Sequence, residues 1–262
     1  MRRVRGDLVL RYAEYRPIRS ILQLCLYSAI CLAGSSHAKE KCSTEIKLLL
    51  LPTEVHSALR SLHAGKGKIG SVYLFDTNTL QLLSQGVVLR LRTGATSDLT
   101  VKLRPPATLG SSDEFGRIDH YKCEFDLTGE GALRSYSIQT KLTRPLPMTW
   151  DELSELLSPA QKRLLEQAHV SVDWTQIKRI AEIRSTQWAI KGQSPFPKLA
   201  VELWEWRTIT ILELSTRVSG DAGPSAYAQL RKIAVNKGLF LNRTQKPKTQ
   251  MALESMIRIP TP

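Results

Sequence analysis

The sequence predicts an antiparallel α+β domain with flanking helices, whose eight or nine short strands are enough to close a small barrel. Three observations carry this. Short strands rich in branched and aromatic residues follow one another directly, and helical segments fall between groups of strands, which favours antiparallel pairing over a parallel sheet. The count of about eight or nine strands suffices for a small barrel, whose interior is just wide enough for a ligand. The third is charge: Lys47, Arg90, Arg92, Lys102, Arg104, Lys122 and Arg184 occupy alternate positions of segments that otherwise read as apolar strands. Strand neighbours point to opposite sides of a sheet, so "VVLRLR" (87–92), "LTVKLR" (99–104) and "EIKLLL" (45–50) each gather their basic side chains on one face. If those faces meet inside a barrel they form a cationic tunnel suited to a polyanion. If they face water they are a solvated sheet surface.

The first residues stand apart from this domain. Residues 1–19 carry six Arg against Asp7 and Glu14; the apolar stretch "ILQLCLYSAICLAG" (21–34) and the small-residue sequence "SSHA" (35–38) follow. A basic region, a short apolar core and an A-x-A-like end form the pattern of a secretory signal peptide. The sequence therefore predicts a signal over 1–38, a mature chain beginning at Lys39 and an exported protein, periplasmic or secreted. The alternative is an uncleaved anchor, for which the run is short. No second long apolar run follows, so no stable membrane insertion is expected after cleavage.

Loss of 1–38 would lower the net charge from +13 to +9, leaving a single domain over 39–262 with a basic tail from about 245. That charge implies an acidic partner: a phosphate-rich ligand, nucleic acid or a membrane surface. Export argues against nucleic acid. Two cysteines remain, Cys42 and Cys123, and an even count in an exported chain suggests a disulfide. Both would point away from the charged face. That parity allows a bond and equally allows two thiols.

The elements follow in order. A strand over about 43–51 ends at Pro52, where "PTEVHSALRSL" reads as a helix capped by Thr53. After the basic loop "AGKGKIG" comes the strand "SVYLFDT" (71–77), then a strand pair within 80–94 broken near Gly86. "DLTVKLRPP" and "HYKCEFDL" are further strands, separated by a Gly/Ser-rich loop. Residues 149–167 read as two helices, the first with a Thr149–Glu152 capping box and the second starting at Ser158–Pro159. Three strands follow, "KRIAEIRSTQWAI", "KLAVELWEW" and "TITILELSTRV". The helix "SAYAQLRKIAVNKG" then stops at Gly238.

"STEIKLLL", "YLFDTNTLQLLSQGVVLRLR", "TVKLR", "YKCEFDL", "AEIRSTQWAI" and "ILELSTRV" stand in the order seen in the CYTH domains, or triphosphate tunnel metalloenzymes, and the chain resembles that family over about residues 43–248. The block at 73–92, Y-x-F-D-T…L…G…L-R-x-R, is the most specific piece. The resemblance implies an eight-stranded antiparallel tunnel acting on triphosphate-bearing substrates: inorganic triphosphate, thiamine triphosphate, nucleoside triphosphates, RNA 5′ ends, or ATP for cyclisation. It also implies Mg²⁺ or Mn²⁺.

Such a site needs both signs of charge on separate walls. Arg meets phosphate oxygens with a bidentate fork and Lys as a point charge. Carboxylates hold the hard divalent cation, which bridges to the phosphates and polarises them. Carried over residue by residue, Arg90, Arg92, Lys102, Lys122 and Arg184 match phosphate-binding positions. Glu45, Glu124 and Glu213 match metal-binding positions. Lys47, from the E-x-E-x-K motif, would orient substrate or assist the leaving group. The family's first glutamate is replaced by Ser43, and the last acidic strand keeps only Glu213, with Ile211 and Ser215 on the same parity. Glu202 or Glu205 could supply a missing ligand, and Arg217 extends the Glu213 face.

The expected partner is a triphosphate or polyphosphate, hydrolysed with Mg²⁺ or Mn²⁺. A polyanion-binding module on the same fold and a structural envelope protein with a basic sheet are the other readings. No phosphate loop of the G-x-x-x-x-G-K-[ST] type, no G-x-S-x-G elbow and no zinc-ligand spacing occurs. His120 and His169 are lone histidines, and the five Trp are expected to pack in the core or outer wall.

Overall fold

Alternation is what the chain turns into architecture. In a computed structural model, described for residues 42–258 apart from 95–96, 110–113, 130, 144–149 and 193–194, nine strands form one closed barrel. They are β1 (Ser43–Leu50), β2 (Lys68–Asp76), β3 (Val87–Thr93), β4 (Asp98–Leu103), β5 (Tyr121–Thr128), β6 (Gly131–Lys141), β7 (Lys178–Lys191), β8 (Lys198–Trp206) and β9 (Ile209–Ser219). Around the barrel the order is β1-β5-β6-β4-β3-β2-β7-β8-β9, and β9 pairs antiparallel with β1 to close it. The expected signal segment and the Thr149 cap lie outside the described residues.

Two expectations are corrected. The barrel is mixed and nine-stranded, because β1 and β5 run parallel and β6 adds a strand. The sequence hides β6: "GALRSYSIQTK" has no apolar run, and half of the strand is exposed. The second correction is at 80–94, read as a strand pair. Only 87–93 is strand; Gln81–Ser84 is a single helical turn, α2. Buried Asp76 decides this, since its carboxylate accepts the backbone N–H of Thr77 at 2.7 Å, Leu82 at 2.9 Å and Leu83 at 3.0 Å. Gly86 then turns into β3 with φ +77°, and a Cβ there would lie 2.0 Å from the Arg104 carbonyl oxygen. Only glycine fits at that closeness.

Helices cover the apolar outer faces. After a 3₁₀ turn at Pro52–Glu54, where Thr53 makes no capping bond, come α1 (Val55–Ser61) and, later in the chain, α5 (Gly223–Asn236). They pack over Ile46, Leu48, Leu50, Leu203, Leu212 and Leu214. On the other side α3 (Trp150–Leu156) and α4 (Pro159–Gln167) cover Leu89, Leu91, Leu99, Val101, Leu103 and Ile138. Ser158 begins α4 with a capping box to Gln161, whose amide also donates to the carbonyls of Leu99 and Ile138 at 2.8 and 3.0 Å. That tie holds β4 and β6 at the register the lumen needs. α5 ends before Gly238, at φ +73°.

The segment read as a basic tail has structure of its own. Gln245 exchanges two hydrogen bonds with the backbone of Leu49, at 2.8 and 2.9 Å. It leads to α6 (Lys248–Arg258), whose Ala252 and Leu253 are buried with Leu49, Val72, Leu74, Ile183, Trp204 and Ile211. Among the described residues no helix is long and apolar enough to cross a membrane.

Candidate functional site

Because strand side chains alternate, every strand that buries aliphatics outward turns its other set into the lumen. Glu45 and Lys47 come from β1, Arg90 and Arg92 from β3, Lys102 from β4, and Lys122 and Glu124 from β5. With Arg104, Glu202, Glu213, Ser215, Arg217 and Lys248 they line a cavity of about 230 Å³. Eight of these lining side chains are cationic and four are carboxylates, so the lumen favours an anion. A second cavity of about 280 Å³, bounded by Lys68, Asp98 and Ser185, shares Arg92, Gln139 and Gln187 with the first.

Arg90 and Arg92 stand side by side on β3 with little to hold. Arg90 donates weakly to Thr100 Oγ1 at 3.4 Å, and Arg92 lies 3.9 Å from Glu202. The Nε–H of each is buried without an acceptor among the described residues. Burial, and then the neighbouring Arg92, bring the Arg90 pKa down to about 10. Buried donors left unpaired cost free energy that a ligand oxygen would recover.

Around Asp126 the charges are matched. Its carboxylate accepts from Lys47 at 2.6 Å and Lys102 at 2.7 Å, and from the Arg104 guanidinium at 3.0 Å. Burial alone would raise the Asp126 pKa; Lys47, Lys102 and Arg104 outweigh it and hold it well below the usual range. Glu45 likewise overcomes burial through Lys47 and Lys102 and falls to about 2. Lys47, 2.8 Å from Glu45, is raised by Glu45 and Asp126 in spite of burial and stays charged. Lys102 goes the other way. Burial first, and then Lys47, push it down to about 7, against the pull of Asp126.

One atom from each of Glu45, Glu124 and Asp126 lies within 4.8 Å of the others. Three carboxylates suit a hard divalent ion such as Mg²⁺ or Mn²⁺. Asp126 is committed to buried cations, whereas Glu45 and Glu124 are bridged by Arg217 at 3.3 and 2.8 Å. The Arg217 side chain is 49% exposed, so it can leave that position at modest cost. The donor set fits a metal at Glu45 and Glu124.

Glu213 is not part of that group. It pairs with Glu202 across β8 and β9, and Lys248 lies between the two carboxylates, 2.6 Å from Glu213 and in direct ion pair with Glu202. Glu202 also accepts from Ser185, Gln187 and Trp204. Lys248 and Arg92 hold its pKa well down against burial. The choice between Glu202 and Glu205 is thereby settled in place: Glu202 lines the lumen, and Glu205 faces the other side of β8. Arg184 is a correction. It is exposed, stands opposite Glu205 and does not line the cavity, because β7 turns Ser185 and Gln187 inward instead.

Sequence reasoning placed Arg104 on the basic face without giving it a role, and left Asp126 and Lys248 out of the site. Asp126 and Arg104 carry the signal of parity, continuing 122–124 and 100–102 by one more alternate position. Lys248 arrives on a helix, where strand parity says nothing.

No family model and no curated protein matches the chain by sequence. Solved structures do match. One is HpAC1 from Hippeastrum, an adenylyl cyclase candidate with a dominant triphosphatase activity. It superposes with a TM-score of 0.57 at 17% identity, over 82% of this chain and 97% of that one. Another is an adenylate cyclase candidate from Bacillus halodurans, with a TM-score of 0.55 at 18% identity, over 80% of this chain and 97% of that one. Identities this low establish the fold, which is that of the CYTH-type tunnel, and leave the chemistry to the residues.

Proposed function

We propose that the tunnel binds a chain of phosphates of the triphosphate type. The observation that carries this is the pair of buried donors, Arg90 Nε and Arg92 Nε, which have no acceptor among the described residues, on the wall of a cavity where cations outnumber carboxylates. Lys102, Arg104 and Lys122 continue that wall. The triphosphatase activity of HpAC1 supports the same ligand class.

Hydrolysis is a second reading, favoured by the convergence of Glu45, Glu124 and Asp126. Arg217 would move to a phosphate oxygen and free Glu45 and Glu124 as ligands. Mg²⁺ or Mn²⁺ held there would supply charge stabilisation at the phosphoryl oxygen. Lys47, kept charged by Glu45 and Asp126, would donate to a bridging oxygen and stabilise the leaving phosphate. Lys102, with its pKa near 7, is the lumen group able to take or give a proton at neutral pH.

Calorimetry with tripolyphosphate, without metal, tests binding; absence of heat or of any thermal shift sinks the proposal. Phosphate release with Mn²⁺ or Mg²⁺, abolished in Glu45→Gln, tests turnover. Tight binding without release under either metal leaves a binding module.

We also propose that the protein acts outside the cytoplasm, in the periplasm or beyond. The signal-like pattern over 1–38 supports this, as does the disulfide between Cys42 and Cys123.

A further inference from the structure

Lys248 is the first residue of α6, an eleven-residue helix. A cation is disfavoured at a helix N-terminus, where the backbone N–H groups concentrate positive charge. What holds the ammonium there is its surroundings. It is 8% exposed, pairs with both Glu202 and Glu213, and sits 4.9 Å above the Trp204 ring. Glu202 and Glu213 face each other in register on adjacent strands, and two buried carboxylates at that closeness repel without a cation between them. Glu213 is 3% exposed, and its Oε2 is buried with no partner among the described residues. Two facing carboxylates with an unsatisfied oxygen are oxygen ligands for a hard divalent ion. Here that place is filled by the chain itself, so the pair as it stands does not fit a metal.

We propose that Lys248 is a built-in counter-cation standing where Glu202 and Glu213 would otherwise hold a divalent ion. This wall of the tunnel then takes no metal, and α6 is part of the site. The inference rests on the tunnel being the phosphate site and specifies its metal requirement: a divalent ion at Glu45 and Glu124, and none at Glu202 and Glu213. An ammonium neutralises the pair, but it offers neither open coordination positions nor Lewis acidity. The phosphate chain is met on that side by Arg92.

The test uses Mn²⁺ alone, without phosphate, counted by electron paramagnetic resonance. Lys248→Met is expected to bind one equivalent more than the wild type, and Lys248→Met/Glu213→Gln to lose that extra equivalent. A folded Lys248→Met that binds no additional Mn²⁺ overturns the proposal. If circular dichroism shows that Lys248→Met does not fold, Glu213→Gln in the otherwise unchanged protein decides. Unaltered Mn²⁺ binding supports the proposal, and loss of an equivalent means that Glu213 holds metal in spite of Lys248. Since no phosphate is present, these outcomes stand apart from a failure to bind tripolyphosphate.

Discussion

On the proposed function, Arg90 and Arg92 would concentrate the ligand energetics in two side chains. Each has a buried Nε–H with no acceptor among the described residues, so a phosphate oxygen there would gain a charge-assisted bond without displacing a competitor. A hydrogen bond to a charged group contributes about 1.5–3 kcal/mol, so Arg90→Ala or Arg92→Ala should each weaken tripolyphosphate binding roughly 10- to 100-fold by calorimetry. Arg92→Lys keeps the charge and loses the fork, and should fall between. Affinities equal to the wild type in both alanine variants would place the ligand elsewhere. Lys102 adds a pH dependence. In the free protein it loses its proton as pH rises through about 7, whereas an adjacent phosphate chain raises that pKa. Its contribution to affinity is therefore complete below pH 7 and declines above it, with a proton taken up on binding at pH 8. Calorimetry in buffers of different ionisation heat should show that uptake, and Lys102→Met should lack it. Without ligand the sign reverses. Between about 7 and 10.5 the unfolded chain binds this proton and the folded one does not, so the group makes the fold more stable as pH rises.

At the scale of elements, the seam between β1 and β5 is where the barrel is most in need of support. It is parallel, spans five register pairs from Ser43–Glu124 to Lys47–Thr128, and joins strands distant in sequence. The disulfide Cys42–Cys123, between cysteines 81 positions apart in sequence, fastens the start of β1 to β5 one residue before Glu124. Native disulfides contribute about 2–4 kcal/mol, which for a domain of this size corresponds to a Tm change of roughly 4–16 °C. Reduction, or Cys42→Ser/Cys123→Ser, should lower Tm by that amount; identical melting with and without reductant would show that the seam holds by itself. The same seam shows what sequence alone can reach. Alternation within β3 and β4 is local, so Arg90, Arg92 and Lys102 could be grouped from their spacing. Which face points inward is not local. β7 has polar residues on both faces, and Arg184 and Ser185 are told apart only by what β2 and β8 bring against them. β6 was hidden for a related reason, since its strand character comes from pairing with β4 and β5 more than from its own residues. Lys248 depends on how α6 docks, which no periodicity encodes.

For the whole molecule, charge and compartment have to agree. A lumen rich in buried cations needs a fold that withstands their mutual repulsion. This chain supplies Asp126 and Glu45 as internal anions, together with a covalent tie between two of the strands that carry them. That tie persists only where thiols are oxidised, because cytosolic reductants keep such pairs open. On the proposed export, the basic and apolar residues before 35 would have a physical counterpart in the domain that follows, a disulfide that an oxidising compartment preserves. The full chain, produced in a bacterium with residues 1–38 intact, should be recovered outside the cytoplasm beginning at Lys39. Intact-mass measurement should show both the loss of residues 1–38 and the two-proton deficit of an oxidised Cys42–Cys123 pair. A recovered chain that still begins at Met1, with both thiols free to alkylation, would remove the argument for export. The stability of the β1–β5 seam would then have to come from its hydrogen bonds and ion pairs alone. In that case the melting of the double serine variant should match that of the wild type purified from the same cells.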